Sequence, residues 1–203
     1  MGNSNRSCPF SKQTEIQIGI CEDVQAMEEN MLLRITHYCD LDGQNLMEVY
    51  SESNYENTDY FYPDETDKRK AVRMVEAGFM DFLQKDFFEH TGATYWVLEE
   101  NGVWISALRT CLTQPGIYYL EALETRPSHR AKGYASRLLI DVLETMKKDG
   151  SFRLCDCVDK KNIASLKTHK KCGFQIVMEE GYDYLNMTAD GRDYGLEYRY
   201  SKE

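Results

Sequence analysis

The sequence has no run that approaches the roughly 20 consecutive apolar residues of a membrane-spanning helix. Its first residues, MGNSNRSCPFSK, contain no apolar segment of the signal-peptide type, and Arg6 stands where the myristoylation pattern requires Ser or Thr. The seven cysteines are an odd number without a secretion signal. Together these absences predict reduced thiols, a cytoplasmic location and no membrane partner.

Several catalytic signatures are also missing. There is no Gly-x-Ser-x-Gly elbow, so the chain offers no hydrolase nucleophile of that type. Neither the Walker loop nor the dinucleotide Gly-x-Gly-x-x-Gly motif occurs. Cys155-x-Cys157 with His169-x-x-Cys172 fits no common zinc spacing. Strand alternation puts Cys155 and Cys157 on one face, so we expect core residues and no metal.

Charge is unevenly distributed along the chain. The formal net charge of −10 argues against nucleic acid as a partner. Residues 126–171 nevertheless carry 12 Lys and Arg against 5 Asp and Glu, whereas residues 40–65 carry eight acids and no Lys or Arg. One basic block inside an acidic protein predicts a local anion site.

The 203 residues, of which 42% are hydrophobic, predict one domain with a short appendage. We place an N-terminal extension at 1–30, with a weak strand around Ile16–Ile20 and a helical turn after it, and a single domain at 31–203. The elements predicted in the first part of that domain are a strand 32–38, a helix 40–53, an acidic and Tyr-rich loop 54–66, a helix 67–89, strands on either side of Asn101-Gly102, and a strand 116–124.

The second part alternates helices and strands. Apolar residues from Ala135 to Met146 recur at helical spacing, which predicts an amphipathic helix ending near Gly150. The elements predicted after it are a strand 151–158, a helix 162–172, and strands 174–180 and 195–200. The pattern as a whole predicts a mixed α/β domain.

The amphipathic helix opens in an unusual way, within PSHRAKGYASRLL at residues 127–139. Ser, Thr, Asp or Asn normally caps a helix, and none stands at this start. The first N–H groups are then available to a ligand, Gly133 permits close approach, and Ala135 keeps the first turn uncrowded. Because a helix N-terminus is positive, and Arg130 and Lys132 add charge, the segment predicts a phosphate or pyrophosphate site.

The spacing Arg130-x-x-Gly133-x-Ala135 after a strand resembles the acetyl-CoA loop of the GNAT N-acetyltransferase superfamily. Val158-x-x-x-Asn162 followed by Ser165 and Gly173-Phe174 resembles that family's second segment. The order of elements agrees from about residue 31 to about residue 200. The resemblance implies a mixed central sheet of about seven strands with flanking helices, a splayed fourth and fifth strand, and acetyl-CoA as co-substrate.

The resemblance also implies where the coenzyme binds. The backbone of Leu123 and Thr125 would hold the pantetheine arm as an added strand does. The loop residues implied for the pyrophosphate are Arg130, Ala131, Lys132, Gly133, Tyr134 and Ala135. Asn162 and Ser165 would contact the coenzyme from the other side. Two alternatives stay open: Asn162 as a plain helix cap, and Ser165 as a small residue where helix and sheet meet.

Acetyl transfer by direct attack requires a base for the amine and a proton for the departing thiolate. Glu121 and Glu124 are the candidate bases, and alternation predicts that they face opposite sides of the strand. Glu121, on the face of Tyr119 and Leu123, is the favoured one. The alternatives are a solvated strand residue or a salt-bridge partner for Glu121, and an ordinary exposed residue for Glu124. His169 occupies the position at which the family usually has a Tyr acid. The alternative for His169 is a surface residue, with no acid needed.

The acceptor is less defined. Carboxylates and Tyr in the loop 54–66 suit a cationic amine, such as a polyamine, an aminoglycoside-like amine or a lysine side chain. The alternative is a solvated loop whose tyrosines pack on the core. The leading function is an N-acetyltransferase acting on a primary amine, as a monomer or homodimer. The rivals are a non-catalytic acyl-CoA sensor and a transferase of longer acyl groups.

Overall fold

The computed structural model describes residues 30–202. The strand and helical turn predicted within the N-terminal extension therefore lie outside the described residues. The strands are β1 Asn30–Ile35, β2 Thr94–Glu100, β3 Val103–Gln114, β4 Ile117–Thr125, β5 Phe152–Asp159, β6 Gln175–Met178, β7 Gly181–Asp183, β8 Thr188–Asp190 and β9 Asp193–Tyr200. The helices are α1 Gly43–Val49, α2 Ser51–Glu56, α3 Thr58–Phe61, α4 Lys68–Lys85, α5 Tyr134–Asp149 and α6 Ile163–Lys171.

Seven strands form one mixed sheet in the order β1-β2-β3-β4-β5-β9-β6. Each neighbouring pair is antiparallel except β4 and β5, which run parallel. The β4–β5 pairing extends only from Ile117 opposite Arg153 to Tyr119 opposite Cys155. Beyond Tyr119 the two strands separate. The predicted fold class, including the splayed fourth and fifth strands, is confirmed.

The β2–β3 hairpin follows directly from its turn residues. Asn101 and Gly102 have φ values of 53° and 77°. A two-residue hairpin turn whose twist matches the strands requires positive φ at both central positions, and Asn-Gly tolerates this best. Trp104 enters β3 two residues later and is buried, which fixes the register of the pair.

Alternation along the central strands directs side chains into two cores, one on each face of the sheet. On one face, Trp96 and Leu98 of β2 pack in the cluster that includes the apolar stripe of α5. On the other face, Tyr95 and Val97 pack in the cluster that includes residues of α1 and α4. Both faces are covered by helices, which is why β2 is buried over most of its length.

The acidic and Tyr-rich segment 54–66 differs from the prediction of a loop, because it contains the end of α2 and all of α3. Two of its polar residues, Asn54 and Thr58, are buried, and Thr58 Oγ1 donates to the carbonyl of Tyr55 at 2.7 Å. These contacts fix the short helices. The next helix, α4, begins after Asp67, which caps it, and ends earlier than predicted, with a separate 3-10 turn at Phe87–Glu89.

The two-stranded sheet of β7 and β8 was not predicted, because each strand has only three residues and no apolar alternation. The loop between β7 and β8 packs Tyr184 and Leu185 against the core on the α1 and α4 side.

Five cysteines of the described chain have free thiols. Among residues 30–202, no helix is both long enough and apolar enough to span a membrane.

Candidate active site

A bulge in β4 organises the candidate site. Ala122 has a φ of 54°, and the β3–β4 register shifts between Ala107 and Arg109, opposite this point. Such a bulge places two consecutive residues on one face. Ala122 accordingly packs on the same core as Tyr119, and Leu123 packs on the opposite one. The prediction that Tyr119 and Leu123 share a face is therefore wrong.

The bulge also brings the two candidate bases to one side of the sheet. Glu121 binds Arg109, whose guanidinium lies over the rings of Phe82 and Phe87 in the α4-side core. Glu124 lines a cavity together with Phe82 and Arg109. The predicted placement of the two carboxylates on opposite faces is wrong, because simple alternation does not continue through a bulge.

Hydrogen bonds hold the bulge in place from the helical side. Tyr50, which follows α1, donates its hydroxyl to the carbonyl of Ala122 at 2.6 Å, and Tyr95 of β2 donates to the Tyr50 hydroxyl at 3.0 Å. Burial, together with the neighbouring Tyr95, raises the pKa of Tyr50 well above its usual value. Tyr50 therefore keeps its proton and stays a donor to the bulge.

Glu121 is held in an ion pair. Its carboxylate lies 3.0 Å from Nε of Arg109, and the two side chains are 19% and 12% exposed. Three aromatic rings of the α4-side core, those of Phe79, Phe82 and Phe87, lie within cation–π distance of the guanidinium. Glu121 is therefore engaged by Arg109 and is not free to face a substrate alone.

Glu124 has a different environment. Burial, reinforced by the charge of Glu56, raises its pKa to about 7, and a hydrogen bond with Ser53 opposes the shift. Arg130 lies 3.4 Å from Glu124 but also forms an ion pair with Glu52, so its charge is shared. A carboxyl group that exchanges its proton near neutrality suits a general base.

Glu124 lies in the wall of a cavity of about 560 Å³ between β4 and the helices α2, α3 and α4. This volume is in the usual range for small-molecule sites. The side chains that line it are Tyr50, Ser53, Asn54, Asn57, Phe61, Tyr62, Val75, Phe79, Phe82, Arg109, Ala122 and Glu124, together with Gly78. We call it the aromatic cavity.

A second cavity, of about 280 Å³, lies where β4 and β5 separate, beneath the β7–β8 sheet. It shares Ala122 with the aromatic cavity. Carboxylates dominate its lining: Glu121, Asp156, Asp183, Asp190 and Asp193. We call it the acidic cavity. The two cavities therefore meet at the β4 bulge.

His169 lies behind the acidic cavity and does not line it. Its side chain is 1% exposed, Nε2 lies 2.7 Å from Asp156 Oδ2, and Nδ1 lies 2.9 Å from the Ser165 carbonyl. Burial by itself would lower the pKa of His169, but the hydrogen bond and charge of Asp156 outweigh it and raise the pKa. The surface-residue alternative is thus wrong.

The mouth of α5 has the predicted backbone geometry. Gly133 has a φ of 88°, no side chain caps the helix there, and a Cβ at Gly133 would meet nothing within 4 Å. The first helical bond runs from Arg137 N to the carbonyl of Gly133. Ala131 also has a positive φ, 60°. The loop therefore turns its backbone toward open space at the helix N-terminus, where an anion is favoured.

The predicted pantetheine contacts lie at the separated edge of β4. Arg126 N donates to the carbonyl of Ile105 in β3. By alternation, the amide of Thr125 points to the other edge, from which β5 has separated, and Leu123 lies within the bulge itself. The carbonyl of Thr125 accepts a hydrogen bond from Nε of Arg130 at 3.2 Å. Whether Leu123 and Thr125 hold a coenzyme stays a prediction.

The loop side chains are placed unequally. Lys132 is exposed at the helix mouth, and Ala135 lies half-buried in the first turn. The hydroxyl of Tyr134 lies 3.4 Å from the Glu100 carboxylate. Arg130 was predicted to add positive charge at the phosphate site, but it forms ion pairs with Glu52 and Glu124, which direct its guanidinium toward the aromatic cavity.

Asn162 and Ser165 both serve the start of α6. Asn162 Oδ1 accepts a hydrogen bond from Ser165 N at 3.0 Å, so the helix-cap alternative describes this side chain. Ser165 Oγ lies 3.3 Å from Nδ1 of His169. A contact of either residue with a coenzyme stays a prediction.

Sequence reasoning missed three residues of this site, Tyr50, Arg109 and Asp156. For Asp156 there was a signal, since it is the only carboxylate within the otherwise apolar stretch LCDCV of β5. A buried charge needs a partner, and His169 supplies it. For Tyr50 there was no sequence signal, because its contact with Ala122 spans 72 positions of the chain.

Among the residues that the structure describes, no three His, Cys, Asp or Glu side chains form a metal site.

Solved structures with the same fold include several acetyltransferases. The PaiA N-acetyltransferase from Thermoplasma acidophilum, solved in complex with coenzyme A, aligns with a TM-score of 0.55 and 18% identity over 84% of this chain and 99% of its own. The ribosomal-protein-S18-alanine N-acetyltransferase from Escherichia coli aligns with a TM-score of 0.55 and 16% identity over 86% of this chain and 96% of its own.

A third structure, the IAA acetyltransferase from Bacillus cereus, aligns with a TM-score of 0.53 and 16% identity over 85% of this chain and all of its own. At these identities the likeness establishes the fold. No curated protein sequence matches the chain significantly. The sequence itself matches the acetyltransferase (GNAT) family over residues 46–174, more than half of its length. The chain is therefore a member of the GNAT acetyltransferase family.

Proposed function

We propose that the protein transfers an acetyl group from acetyl-CoA to the nitrogen of a primary amine by direct attack. Family membership supports acetyl transfer in general. The observation that carries the proposal is the adjacency of three features: the uncapped mouth of α5, the gap between β4 and β5, and the aromatic cavity that meets the gap at Ala122.

The chain's own groups fit coenzyme A. The positive-φ loop at Ala131 and Gly133 gives a backbone approach to the diphosphate that no side chain fills. The exposed Lys132 adds a positive charge beside it. The edge of β4 at Leu123 and Thr125 offers backbone groups to the amides of the pantetheine arm. When bound, acetyl-CoA supplies the activated acetyl group as a thioester.

Glu124 is the proposed base. In the reaction a C–N bond forms, the C–S bond breaks, the amine loses a proton and the thiolate gains one. Glu124 lies beside the bulge, and its pKa of about 7 lets it accept the amine proton near neutrality. Glu121, the base favoured by sequence reasoning, is engaged with Arg109 at 3.0 Å. In this proposal Glu121 neutralises the positive charge of Arg109 beside the reacting centre.

The proposed proton donor is the pair of Asp156 and His169. Asp156 lines the acidic cavity and His169 lies behind it, with 2.7 Å between Oδ2 and Nε2. The pair holds a proton in a buried setting, and His169 acts through Asp156 as a positioning residue. A buried carboxylate without that imidazole would keep an unpaired charge at the gap.

The experiment is a thiol-release assay with acetyl-CoA and a panel of primary amines. The variants are Glu124→Gln and Glu121→Gln, and the matched control is Glu179→Gln, a carboxylate on the exposed segment after β6. Loss of a general base should lower kcat by about a hundredfold in Glu124→Gln. The Glu179→Gln control should turn over at the wild-type rate.

Two outcomes oppose the proposal. Tight binding of coenzyme A without thiol release for any amine would favour the non-catalytic sensor. Turnover that is equal in Glu124→Gln and wild type would remove Glu124 from the base position and leave acetyl transfer standing.

A further inference from the structure

The walls of the aromatic cavity are mainly apolar. Phe79 and Phe82 come from one face of α4, and Phe61 and Tyr62 close the cavity from the end of α3. Phe61 is 58% exposed, so its ring is accessible to a ligand. Aromatic walls of this kind provide apolar burial and quadrupole contacts for a ring or an alkyl chain.

The carboxylates of segment 54–66 do not line the aromatic cavity. Asp59 forms an ion pair with Lys68 at 2.6 Å, and Glu65 forms one with Lys70. Both lysines belong to α4, so these acids fix the start of that helix. Of the acids in this segment, Glu56 is the one whose charge acts on the cavity, since it raises the pKa of Glu124.

The two charged residues of the aromatic cavity, Arg109 and Glu124, come from β3 and β4. Glu124 is the one carboxylate among its lining residues. Asn54 is 4% exposed, and within the described chain its amide nitrogen contacts only the Met47 sulfur, at 3.4 Å. A thioether is a weak acceptor. Arg109 also reaches the cavity, but Glu121 neutralises its charge. The cavity thus has one acidic end and an apolar body.

Resting on the proposed acetyl transfer, we infer that the acceptor is a monoamine with an aromatic or alkyl body, bound with its nitrogen at Glu124 and its body between α3 and α4. A polyamine suits this cavity poorly, because its further charges would lie against Phe79 and Phe82, and Glu124 is the one carboxylate in the lining. The acidic cavity is the place where a polyamine would fit instead, so it defines the competing outcome.

Gly78 gives a direct test of the inference. It lies on α4 and lines the aromatic cavity, and a Cβ built there meets only the Tyr62 hydroxyl, at 3.9 Å. A side chain at this position therefore fits the helix and extends into the cavity. Gly78→Ala and Gly78→Leu also improve helix propensity, so both variants should fold. Ala77→Leu is the matched control, since Ala77 is exposed and is not part of the cavity wall.

The assay compares phenylethylamine, methylamine and spermidine as acceptors, with calorimetric titration of phenylethylamine as a second readout. Wild type should prefer phenylethylamine to spermidine in kcat/KM. Gly78→Leu should raise KM for phenylethylamine about tenfold and change KM for methylamine less, because filling an apolar pocket discriminates by size. Gly78→Ala should show a smaller effect in the same direction, and Ala77→Leu should match wild type.

Failure of the acceptor inference and failure of the proposed acetyl transfer give different results. Preferred turnover of spermidine, with no effect of Gly78→Leu, would overturn the inference and leave N-acetyl transfer in place. Equal effects of Gly78→Leu and Ala77→Leu on phenylethylamine would also overturn it. Absence of turnover with all three amines, while coenzyme A still binds, would overturn the proposed function and the inference together.

Discussion

Replacing Glu124 with Gln should flatten the pH dependence of stability. The pKa of Glu124 rises from 4.5 to about 7 on folding, mainly because of burial. A carboxyl group whose pKa is raised in the folded state binds its proton more tightly when folded. Its ionisation therefore destabilises the fold as pH rises from about 4.5, and the penalty is complete above about 7.

The size of this effect follows from the shift. At about 1.4 kcal/mol for each pH unit, the rise corresponds to roughly 3 kcal/mol. Glu124 is 27% exposed and Arg130 lies 3.4 Å away, so solvent and charge reduce the penalty. We expect an observed value of about 1–3 kcal/mol. Gln keeps the shape and the hydrogen-bonding capacity of the side chain without the charge.

The assay is urea unfolding of wild type, Glu124→Gln and the exposed control Glu179→Gln, at about pH 5 and at about pH 8. The gain in free energy of unfolding in Glu124→Gln should be about 1–3 kcal/mol larger at the higher pH. Parallel pH profiles for Glu124→Gln and wild type would refute the reasoning. The Glu179→Gln control should follow wild type at both values.

Three further variants test the backbone, the bulge and the buried pair by thermal or urea unfolding. Ala131→Gly should stabilise the fold by about 1 kcal/mol, since Ala131 has a φ of 60°. The control Ala135→Gly, within the helix, should destabilise the fold by a similar amount. A loss of stability in both variants would contradict this reasoning. Tyr50→Phe should cost about 1–3 kcal/mol and slow turnover, while the 80% exposed Tyr60→Phe should be neutral. His169→Gln should remove stability that wild type has below about pH 6.5 and loses at higher pH, because the folded pKa of His169 is raised; an unchanged pH profile would count against the pair.

Sequence patterns predicted the elements that have a strong local signal. The apolar positions of α5 recur at helical spacing from residue 135 to residue 146, and the structure buries Leu138, Leu139, Val142, Leu143 and Met146. Asn101-Gly102 predicted the hairpin because few other pairs accept positive φ at both positions. The helix mouth was predictable for a related reason, since a glycine replaces the capping residue.

The bulge in β4 had no such signal. It places an alanine, not a glycine, at a φ of 54°, and nothing in IYYLEALET marks Ala122 as different. The bulge is fixed instead by the Tyr50 hydroxyl, a contact between residues far apart in the chain. Without the bulge, alternation assigns the two carboxylates to opposite faces. The error over Glu121 and Glu124 follows from that one non-local hydrogen bond.

The ion-pair partners of Arg130 could not be predicted from the sequence, for the same reason. The sequence places Arg130 in a basic block next to a predicted anion site, which suggests a phosphate ligand. The structure gives it two carboxylates, Glu52 of α2 and Glu124 of β4. Charge patterns along a chain report local composition, whereas ion pairs form between elements that the fold brings together. Pairing of this kind is visible only once β4 and α2 are adjacent.

One distortion of β4 links the features on which acetyl transfer would depend. The β4–β5 pairing ends at Tyr119, and the bulge at Ala122 follows within the separated part of the strand. The bulge turns Glu121 and Glu124 to one face, and their different partners then divide their roles. Glu121 forms an ion pair with Arg109, while burial leaves Glu124 able to exchange a proton near neutrality. A straight strand would carry the same residues without bringing them together. Tyr50 is therefore expected to affect turnover, although its hydroxyl contacts only the backbone of β4 and the hydroxyl of Tyr95 in the described structure.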